Sequence, residues 1–256
     1  MGDGLPPEPN QRADLELKGL AKAFNGVHAV DRLSLKVGCG DVVGVLGPNG
    51  AGKSTTMRMI AGVIAPDAGD ALIAGHSIVS DRRRAQAALG YLPEGAPLYL
   101  DMTPPEFLRF VGRSRAMKRK PLADAIERVT ADARIGPVMG KRLSDLSKGY
   151  RRRVGLAAAL VGDPPVLLLD EPTDGLDPNQ KRAVRALISR MAATKAILIT
   201  THTLEEVPAM CTRVVVINDG RIVADDTPAG LADQSPDGGL ERVFSDLTAP
   251  MELAAQ

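Results

Sequence analysis

The sequence lacks most of the features that mark secreted or nucleic-acid-binding chains. It has no tryptophan, and its two cysteines, Cys39 and Cys211, stand far apart in no metal-ligand spacing. Because no secretory signal peptide is present, we expect the chain to work in a reducing, cytosolic compartment. Its 32 lysines and arginines nearly balance its 31 aspartates and glutamates. A dedicated nucleic-acid binder normally carries a basic excess, so no nucleic-acid partner is expected.

Long apolar runs are also missing. The longest, such as "PPVLLL" and "GLAAALVG", fall well short of the about 20 apolar residues that a membrane-spanning helix needs. The chain itself is therefore predicted not to cross a bilayer. Its 256 residues are enough for one large domain or two small ones with a substantial buried core.

Two strand patterns are present, and they predict two kinds of sheet. "DLELKGL" and "LSLKV" alternate apolar and polar residues, which is typical of half-buried antiparallel strands. "DVVGVLG", "PPVLLLD" and "KAILIT" are more continuously apolar, as expected of strands that are covered on both faces. Residues 180–193, between the last two, carry an apolar stripe at helical spacing. Strands that alternate with helices predict an α/β core with a parallel sheet.

A helical insert is predicted to interrupt this core between about residues 95 and 160. Thr103 and Glu106 have the spacing of a capping box at the start of a first helix. "PLADAIERVTADAR" and "KGYRRRVGLAAALVG" predict two more helices. Residues 1–13, rich in proline, glycine and polar side chains, are predicted to be a disordered tail. Residues 14–233 are predicted to form the domain, and residues 234–256 a C-terminal tail.

The stretch after "DVVGVL" fits the spacing G-x-x-x-x-G-K-[ST] without a gap. Glycines let such a loop fold so that its N–H groups point inward at phosphate oxygens, and the helix that follows adds its positive N-terminal end. Lys53 can reach the outer phosphates, and the hydroxyl of Ser54 can ligate Mg²⁺. The preceding strand and the following helix favour a nucleoside triphosphate site over a chance turn. The predicted nucleotide-contacting residues here are Gly47, Pro48, Asn49, Gly50, Ala51, Gly52, Lys53, Ser54 and Thr55.

A carboxylate pair follows the second buried strand, in "VLLLDEPTDGLDP". Asp170 and Glu171 could simply cap the helix after a core strand. Beside a phosphate loop, another interpretation is favoured: Asp170 holds Mg²⁺ through its water shell, while Glu171 polarises the attacking water.

These motifs, together with "LSKGYRRRVGLAAALVGDP", resemble ATP-binding cassette (ABC) ATPases, the cytosolic motors of ABC transporters. The resemblance covers Asp14 to about Thr227. It implies a P-loop NTPase core with a parallel sheet, an antiparallel N-terminal β-subdomain and an inserted helical subdomain.

The same resemblance implies partners and cofactors. Two copies, as a homodimer or with a paired ATPase subunit, would bind ATP and Mg²⁺ between them. They would drive a separate transmembrane permease from the inner face of the cell membrane. The forms "GYLPE" and "LSKGY" look most like bacterial exporter branches of the multidrug, copper-related and gliding-motility types.

The resemblance also assigns a signature segment to residues 146–150, where the family usually has Leu-Ser-Gly-Gly-Gln. Ser147 and Gly149 match that pattern and would contact the γ-phosphate of ATP bound by the opposite subunit. Lys148 and Tyr150 depart from it. A serine that caps a helix start, beside free N–H groups, is chemically suited to bind an anion.

Four further positions correspond to functional positions of the family, and Glu94 is the clearest departure from its usual residues. His202 falls where the family places a switch histidine that contacts the γ-phosphate and serves catalysis. Glu94 stands where the family often has glutamine, and it would bind at the metal and link the site to the membrane partner. Asp177 matches the loop that joins the two active sites across the dimer. Phe24 would stack on adenine, or it is a plain core phenylalanine.

Three alternatives remain at the level of function: a soluble ABC ATPase of DNA repair or translation, a P-loop kinase, and a catalytically silent binding module. A soluble ABC ATPase of DNA repair would carry a long coiled coil between Ser54 and Ser147, and no sustained heptads occur there. A translation factor of the family would carry two cassettes. A P-loop kinase for a small molecule would not need a signature segment, and a catalytically silent binding module would not need Lys53 or Glu171.

Three clusters of basic residues, "DRRRAQ", "RSRAMKRK" and "YRRRVG", have a plain interpretation as solvated helix faces. An alternative for "RSRAMKRK" is contact with anionic lipid headgroups or with a membrane subunit.

Overall fold

The computed structural model describes residues 14–235 and 239–249. The predicted disordered tail, residues 1–13, lies outside the described residues, as do 236–238 and 250–256 of the predicted C-terminal tail. The strands are β1 (Leu15–Phe24), β2 (Val27–Val37), β3 (Val42–Leu46), β4 (Ala68–Ile73), β5 (His76–Ser77), β6 (Leu89–Leu92), β7 (Val166–Asp170), β8 (Ala196–Thr200), β9 (Arg213–Asn218) and β10 (Arg221–Asp226). The α-helices are α1 (Lys53–Ile60), α2 (Arg82–Ala87), α3 (Pro104–Ser114), α4 (Arg119–Asp132), α5 (Lys148–Leu160), α6 (Pro178–Ala192), α7 (Val207–Met210), α8 (Pro228–Ala232) and α9 (Leu240–Thr248).

The strands form two sheets, as the two strand patterns predict. The first has the order β2-β1-β4-β5, and all of its pairs are antiparallel. The second has the order β10-β9-β3-β8-β7-β6. Its five strands from β9 to β6 are parallel, and only the edge strand β10 is antiparallel to its neighbour. The predicted fold class is confirmed.

The parallel sheet brings three functional segments to one edge. β3, β7 and β8 are buried along their whole length, which explains their continuously apolar sequences. They are neighbours, and Asp170 at the end of β7 pairs in register with Thr200 at the end of β8. The loop after β3 leaves the sheet at the same edge. In sheets of this type, ligands bind beyond the carboxyl ends of the strands.

The helical insert lies between β6 and β7 in the chain and contains α3, α4 and α5. The predicted capping box is present at the start of α3, where the Thr103 N–H donates to Glu106 Oε2 at 2.8 Å. α3 and α4 pack closely, because a Cβ at Gly112 would overlap the side chain of Leu122. The insert therefore has a compact apolar interior of its own that continues into the main core.

Several elements were missed by the sequence patterns. β6 is a four-residue strand, too short to show a periodicity, although it forms the edge of the parallel sheet. α9 lies within the predicted C-terminal tail, yet its Val243 is buried, and the Asn218 side chain donates to the carbonyl oxygen of Leu247 at 3.5 Å. Among the described residues, no helix is both long and apolar enough to span a membrane.

Candidate functional site

The loop between β3 and α1 has the cradle shape that its sequence predicts. Gly52 has a φ of 102°, and a Cβ there would overlap the carbonyl oxygen of Ala29. Only glycine allows both the left-handed backbone and this close approach. Lys53 folds back over the loop, and its Nζ donates to the carbonyl oxygens of Gly47 at 2.6 Å and Pro48 at 2.9 Å. The ammonium group is thus held beside the backbone N–H groups that would face a phosphate.

The electrostatics of Lys53 favour an anionic ligand. Burial lowers the pKa of its ammonium group, and the nearby carboxylates, chiefly that of Glu171, oppose that shift. A half-buried cation that loses hydration gains more from a phosphate than an exposed one would.

One pocket of about 310 Å³ unites most of the predicted site residues. It is lined by Asn49, Gly50, Ala51, Gly52, Lys53, Ser54, Thr55, Glu94, Asp170, Glu171, Asp174, Thr200 and His202. Gly47 and Pro48 contact Lys53 through their carbonyl oxygens and do not line the pocket. Phe24, Ser147 and Gly149 also lie outside its lining.

Asp170 is only 4% exposed, and its two carboxylate oxygens have different neighbours. The Thr200 hydroxyl donates to Oδ1, and the backbone N–H of Glu94 donates to Oδ2 at 3.4 Å. These contacts fix the carboxylate in the pocket without neutralising it. They also connect it directly to Glu94, at the hinge of the helical insert.

Glu171 has a strained backbone and a histidine partner. Its φ is 52°, a left-handed value that non-glycine residues seldom adopt, and such strain often occurs at functional sites. Its N–H donates to the carbonyl oxygen of Thr200 at 3.1 Å. His202 Nδ1 lies 2.9 Å from Glu171 Oε1. Burial raises the pKa of the Glu171 carboxyl, and the contact with His202 opposes that shift. A carboxylate in this setting is a stronger base than an exposed glutamate.

The chain as a whole resembles known proteins. The family model for ABC transporters matches residues 30–174. The chain is 40% identical over 220 residues to Nod factor export ATP-binding protein I of Paraburkholderia xenovorans (strain LB400), covering 86% of this chain and 72% of that protein. The chain belongs to the ABC transporter family.

Solved structures agree with this assignment. The structure of an ATP-binding subunit of an ABC transporter matches this ABC ATPase with a TM-score of 0.83 and 27% identity, covering 91% of this chain and 98% of that one. The structure of cbiO1 from Clostridium perfringens, part of the ABC transporter complex cbiONQ, matches with a TM-score of 0.76 and 26% identity, covering 87% of this chain and 91% of that one. As a member of this family, the chain binds and hydrolyses ATP.

The signature segment of this ABC ATPase lies at the start of α5, and none of residues 146–150 lines the pocket. The Ser147 side chain caps the helix by accepting from the Tyr150 N–H at 3.3 Å. Gly149 packs against the first turn of α6 and the segment before it, because a Cβ there would lie 2.6 Å from Gln180 Oε1 and 3.3 Å from the side chain of Leu176. Lys148 Nζ forms an ion pair with Asp174 Oδ2 at 2.8 Å. The centre of the Tyr150 ring lies 4.1 Å from the Arg153 guanidinium. Lys148 and Tyr150, the two departures from the family pattern, therefore both have a partner within the chain.

Arg152 contacts the site, although no sequence pattern indicates it. It is buried in α5, and one of its terminal nitrogens donates to the carbonyl oxygen of Asp170 and, at 2.6 Å, to that of Glu171. The other donates to the carbonyl oxygen of Pro93 at 2.8 Å. One guanidinium thus ties the signature helix to the catalytic strand and to the hinge before Glu94. Its position in "YRRR", beside two other arginines, offered no signal that distinguished it.

Glu206 is a second missed residue. It is only 5% exposed and accepts from the Thr173 hydroxyl at 2.6 Å and from Lys181 Nζ at 2.8 Å. Thr173 follows Glu171 closely, and Glu206 follows His202 closely. This buried network therefore joins the two segments whose side chains meet at the Glu171–His202 contact.

Phe24, at the end of β1, is 49% exposed and so is not a core residue. The Nζ of Lys22 lies 5.7 Å from the centre of its ring. An exposed ring with a cation on one side is available for stacking on its other side.

Proposed function

We propose that this chain is the ATP-hydrolysing subunit of an exporter and works as a dimer around two ATP molecules. The observation that carries the site assignment is the single pocket that unites Lys53, Asp170, Glu171 and His202. In it, the loop N–H groups and Lys53 would hold the phosphates. Glu171 would take a proton from the attacking water, while His202 orients the Glu171 carboxylate and faces the γ-phosphate.

Mg²⁺ fits the donors present in this pocket. Ser54 offers a hydroxyl, and Asp170 and Glu94 offer carboxylate oxygens, which are the hard ligands that Mg²⁺ prefers. Over residues 14–235 and 239–249, no group of three His, Cys, Asp or Glu could hold a metal ion on its own. The phosphates of the nucleotide would complete the ligand set, and the bound ion would neutralise their developing charge.

Dimerisation is proposed because Ser147 and Gly149 do not reach the pocket of their own chain. The start of α5 presents a capped helix end, to which the γ-phosphate of a second chain's ATP could bind. In this arrangement each ATP lies between the phosphate loop of one chain and the signature segment of the other.

The membrane partner is proposed to dock on the helical insert, near Glu94. A groove there is lined by Tyr91, Ala96, Leu98, Phe107, Val111 and Ala158. Beside it, the exposed rings of Tyr99 and Phe110 stack edge to face, with centroids 5.2 Å apart. Exposed aromatic and apolar side chains of this kind favour a protein partner. The complex that includes cbiO1, and the export relative, support a separate permease and a position at the cytoplasmic face of the membrane.

Mixed dimers test whether the site is shared between chains. Lys53→Ala and Ser147→Arg are each expected to inactivate the homodimer. When the two variants are mixed and allowed to exchange, one site in each mixed dimer has an intact loop and an intact signature segment. ATP hydrolysis should partly return. If loop and signature act within one chain, every site keeps a defect and the mixture stays inactive.

Strict coupling between two sites would also give an inactive mixture, and a second measurement separates that case. Glu171→Gln is added to both variants, and ATP-dependent mixed dimers are measured by size-exclusion chromatography. Mixed dimers without hydrolysis support a shared site with strict coupling. Absence of both hydrolysis and ATP-dependent dimers rejects the shared site.

A further inference from the structure

A second pocket opens on the helical insert between α3 and α4, and it shares no residue with the ATP pocket. Its volume is about 640 Å³, and its lining includes Arg109, Arg113, Met117, Arg119, Leu122 and Ile126. Leu122 is buried and Met117 and Ile126 are half-buried, whereas the three arginines are exposed. The pocket therefore has an apolar interior and three guanidinium groups around it.

The guanidinium groups of these three arginines have no direct partner in the part of the protein that the structure describes. Among the described residues, the side chains of Arg109, Arg113 and Arg119 form no hydrogen bond and no ion pair. Glu106, the carboxylate nearest to Arg109 and Arg113 in sequence, attracts Arg109 without a direct contact, and it accepts both the N–H and the hydroxyl of Thr103 in the capping box. Arg109 and Arg113 stand four residues apart on α3, a spacing at which like charges destabilise a helix. An anion bound between them would remove that repulsion.

Most arginines of the other two basic clusters form hydrogen bonds or ion pairs within the protein. Arg82 donates to the carbonyl oxygen of Gly62, and Arg84 pairs with Asp81 at 3.6 Å. The three arginines of "YRRR" all donate to backbone carbonyl oxygens. The cluster of the insert differs, because residues 109–120 contain six basic residues and no acidic one. Of these six, Arg115 turns inward and donates to the carbonyl oxygen of Leu89 at 2.6 Å.

We propose that this arginine pocket binds the phosphate headgroup of an anionic phospholipid, so that the insert itself contacts the membrane surface. Guanidinium groups bind phosphate oxygens with two parallel hydrogen bonds. The apolar interior would receive the upper part of an acyl chain. Lys118 and Lys120, both exposed, would add attraction to the anionic surface.

Two observations favour a lipid over a free phosphate. A free phosphate would leave the apolar lining of the pocket without a partner, whereas a phospholipid would contact the arginines with its headgroup and the apolar lining with its acyl chain. Phe110, 44% exposed, lies three residues before Arg113 and so on a neighbouring part of the α3 surface. Aromatic rings beside arginines are common where proteins meet the headgroup region.

The position of the pocket agrees with a membrane-facing surface. α3 contributes Phe107 and Val111 to the groove proposed for the permease, and Arg109 and Arg113 to the arginine pocket. Lipid binding does not depend on the permease or on ATP, however, and it can be measured on the isolated full chain.

The test is co-sedimentation of the full chain with vesicles. Phosphatidylcholine vesicles that contain phosphatidylglycerol are compared with vesicles of phosphatidylcholine alone. The triple variant Arg109→Gln, Arg113→Gln, Arg119→Gln should lose affinity for the anionic vesicles by on the order of 100-fold, since each basic residue near such a surface contributes on the order of a few-fold. A matched control removes three other exposed charges: Arg32→Gln, Arg83→Gln, Arg84→Gln. It should bind nearly as the unchanged chain does.

Further measurements distinguish a phospholipid from a free phosphate and from an acidic protein segment. Met117→Gln keeps every charge and should weaken vesicle binding several-fold if the acyl chain contacts the pocket. Glycerol 3-phosphate should compete poorly with vesicles, and strong competition would show a site for free phosphate instead. Tighter binding of a glutamate-rich peptide than of anionic vesicles would show a site for an acidic protein segment. Equal losses in the control and pocket variants would show general attraction of charges and reject the proposal.

Two measurements make the result independent of folding and of the ATP site. The triple variant should be at least as stable to heat as the unchanged chain, since it removes the repulsion between Arg109 and Arg113, and its ATP binding should be unchanged. Lys53→Ala should bind vesicles normally, since the ATP site does not take part. Normal vesicle binding by the folded triple variant would overturn the lipid assignment while leaving the proposed ATPase function intact.

Discussion

The nucleotide pocket and the start of the signature helix differ in how completely a single chain builds them. In the pocket, Lys53, Asp170 and Glu171 are all held by contacts within the chain. Among the described residues, the signature serine, Ser147, forms hydrogen bonds only with its own helix, and it lies outside the pocket lining. The difference suggests that one chain can bind ATP alone, whereas hydrolysis requires a second chain. Substitutions in the two regions should therefore have different effects on ATP binding and on hydrolysis.

The largest effect is expected from Lys53→Ala. This variant removes the cation that lies between the loop carbonyls and the carboxylates of the pocket, so binding of the outer phosphates should be lost. ATP binding, measured by equilibrium dialysis, and ATP hydrolysis should both fall to background. Lys18→Ala, at an exposed lysine of β1, is the control and should keep both. Near-normal hydrolysis by Lys53→Ala would show that the pocket is assigned wrongly.

Glu171→Gln should separate binding from hydrolysis within the same pocket. The amide keeps the size of the side chain but cannot accept a proton from water, so the rate should fall by on the order of 10²–10⁴-fold. ATP should still bind, and an ATP-stabilised dimer should accumulate in size-exclusion chromatography. Glu205→Gln, at an exposed neighbour of the switch segment, should hydrolyse ATP normally. An unchanged rate in Glu171→Gln would reduce Glu171 to a structural role.

The pH dependence of hydrolysis by the unchanged chain also tests whether Glu171 is the general base. Burial raises the pKa of Glu171, and a general base must be deprotonated to act. The value of kcat/KM should therefore fall as the pH decreases through this raised pKa, at a higher pH than an ordinary glutamate would give. Glu171→Gln should lose this acidic limb. If the limb persists in the residual activity of the variant, another group causes it.

Arg152 connects the two regions being compared, and its loss should reduce kcat more than it raises KM. In Arg152→Gln the carbonyl oxygens of Pro93, Asp170 and Glu171 lose their shared donor. Small displacements of catalytic groups cost up to on the order of 100-fold in rate. Arg152→Lys, which keeps a cationic donor, should recover part of the loss. A merely structural role would lower thermal stability without this pattern.

Arg153→Gln is the matched control for that measurement. Arg153 is also buried in α5, but it donates to the carbonyl oxygen of Arg134 inside the insert and packs on Tyr150. It should lower stability with little effect on kcat. Equal losses of kcat in the Arg152 and Arg153 variants would mean that α5 packing, and not the link to the catalytic strand, is what matters.

How far the sequence could predict this protein depends on whether the signal is local. The phosphate loop, the buried strands and the Thr103 capping box are written in contiguous residues, and all of them are found in the structure. Arg152 and Glu206 act through contacts with residues distant in the chain, so no local pattern reveals them. β6 was missed because four residues are too few to show a period. The arginine pocket likewise forms only when α3 and α4 pack together.

Phe24→Ala should give the smallest effect and tests the part of the site that lies outside the pocket lining. If the exposed ring stacks on adenine, its loss should weaken ATP binding by about 1–3 kcal/mol, as for bases stacked on aromatic side chains in nucleic-acid complexes. The affinity for inorganic triphosphate, which has no base, should not change. Val79→Ala removes another exposed apolar side chain, at 59% exposure, and should alter neither affinity. Both ligands should be measured by calorimetry on the folded variants. Equal weakening of both would place the effect of Phe24 on the phosphate loop, and unchanged ATP affinity would leave adenine without an aromatic partner on β1.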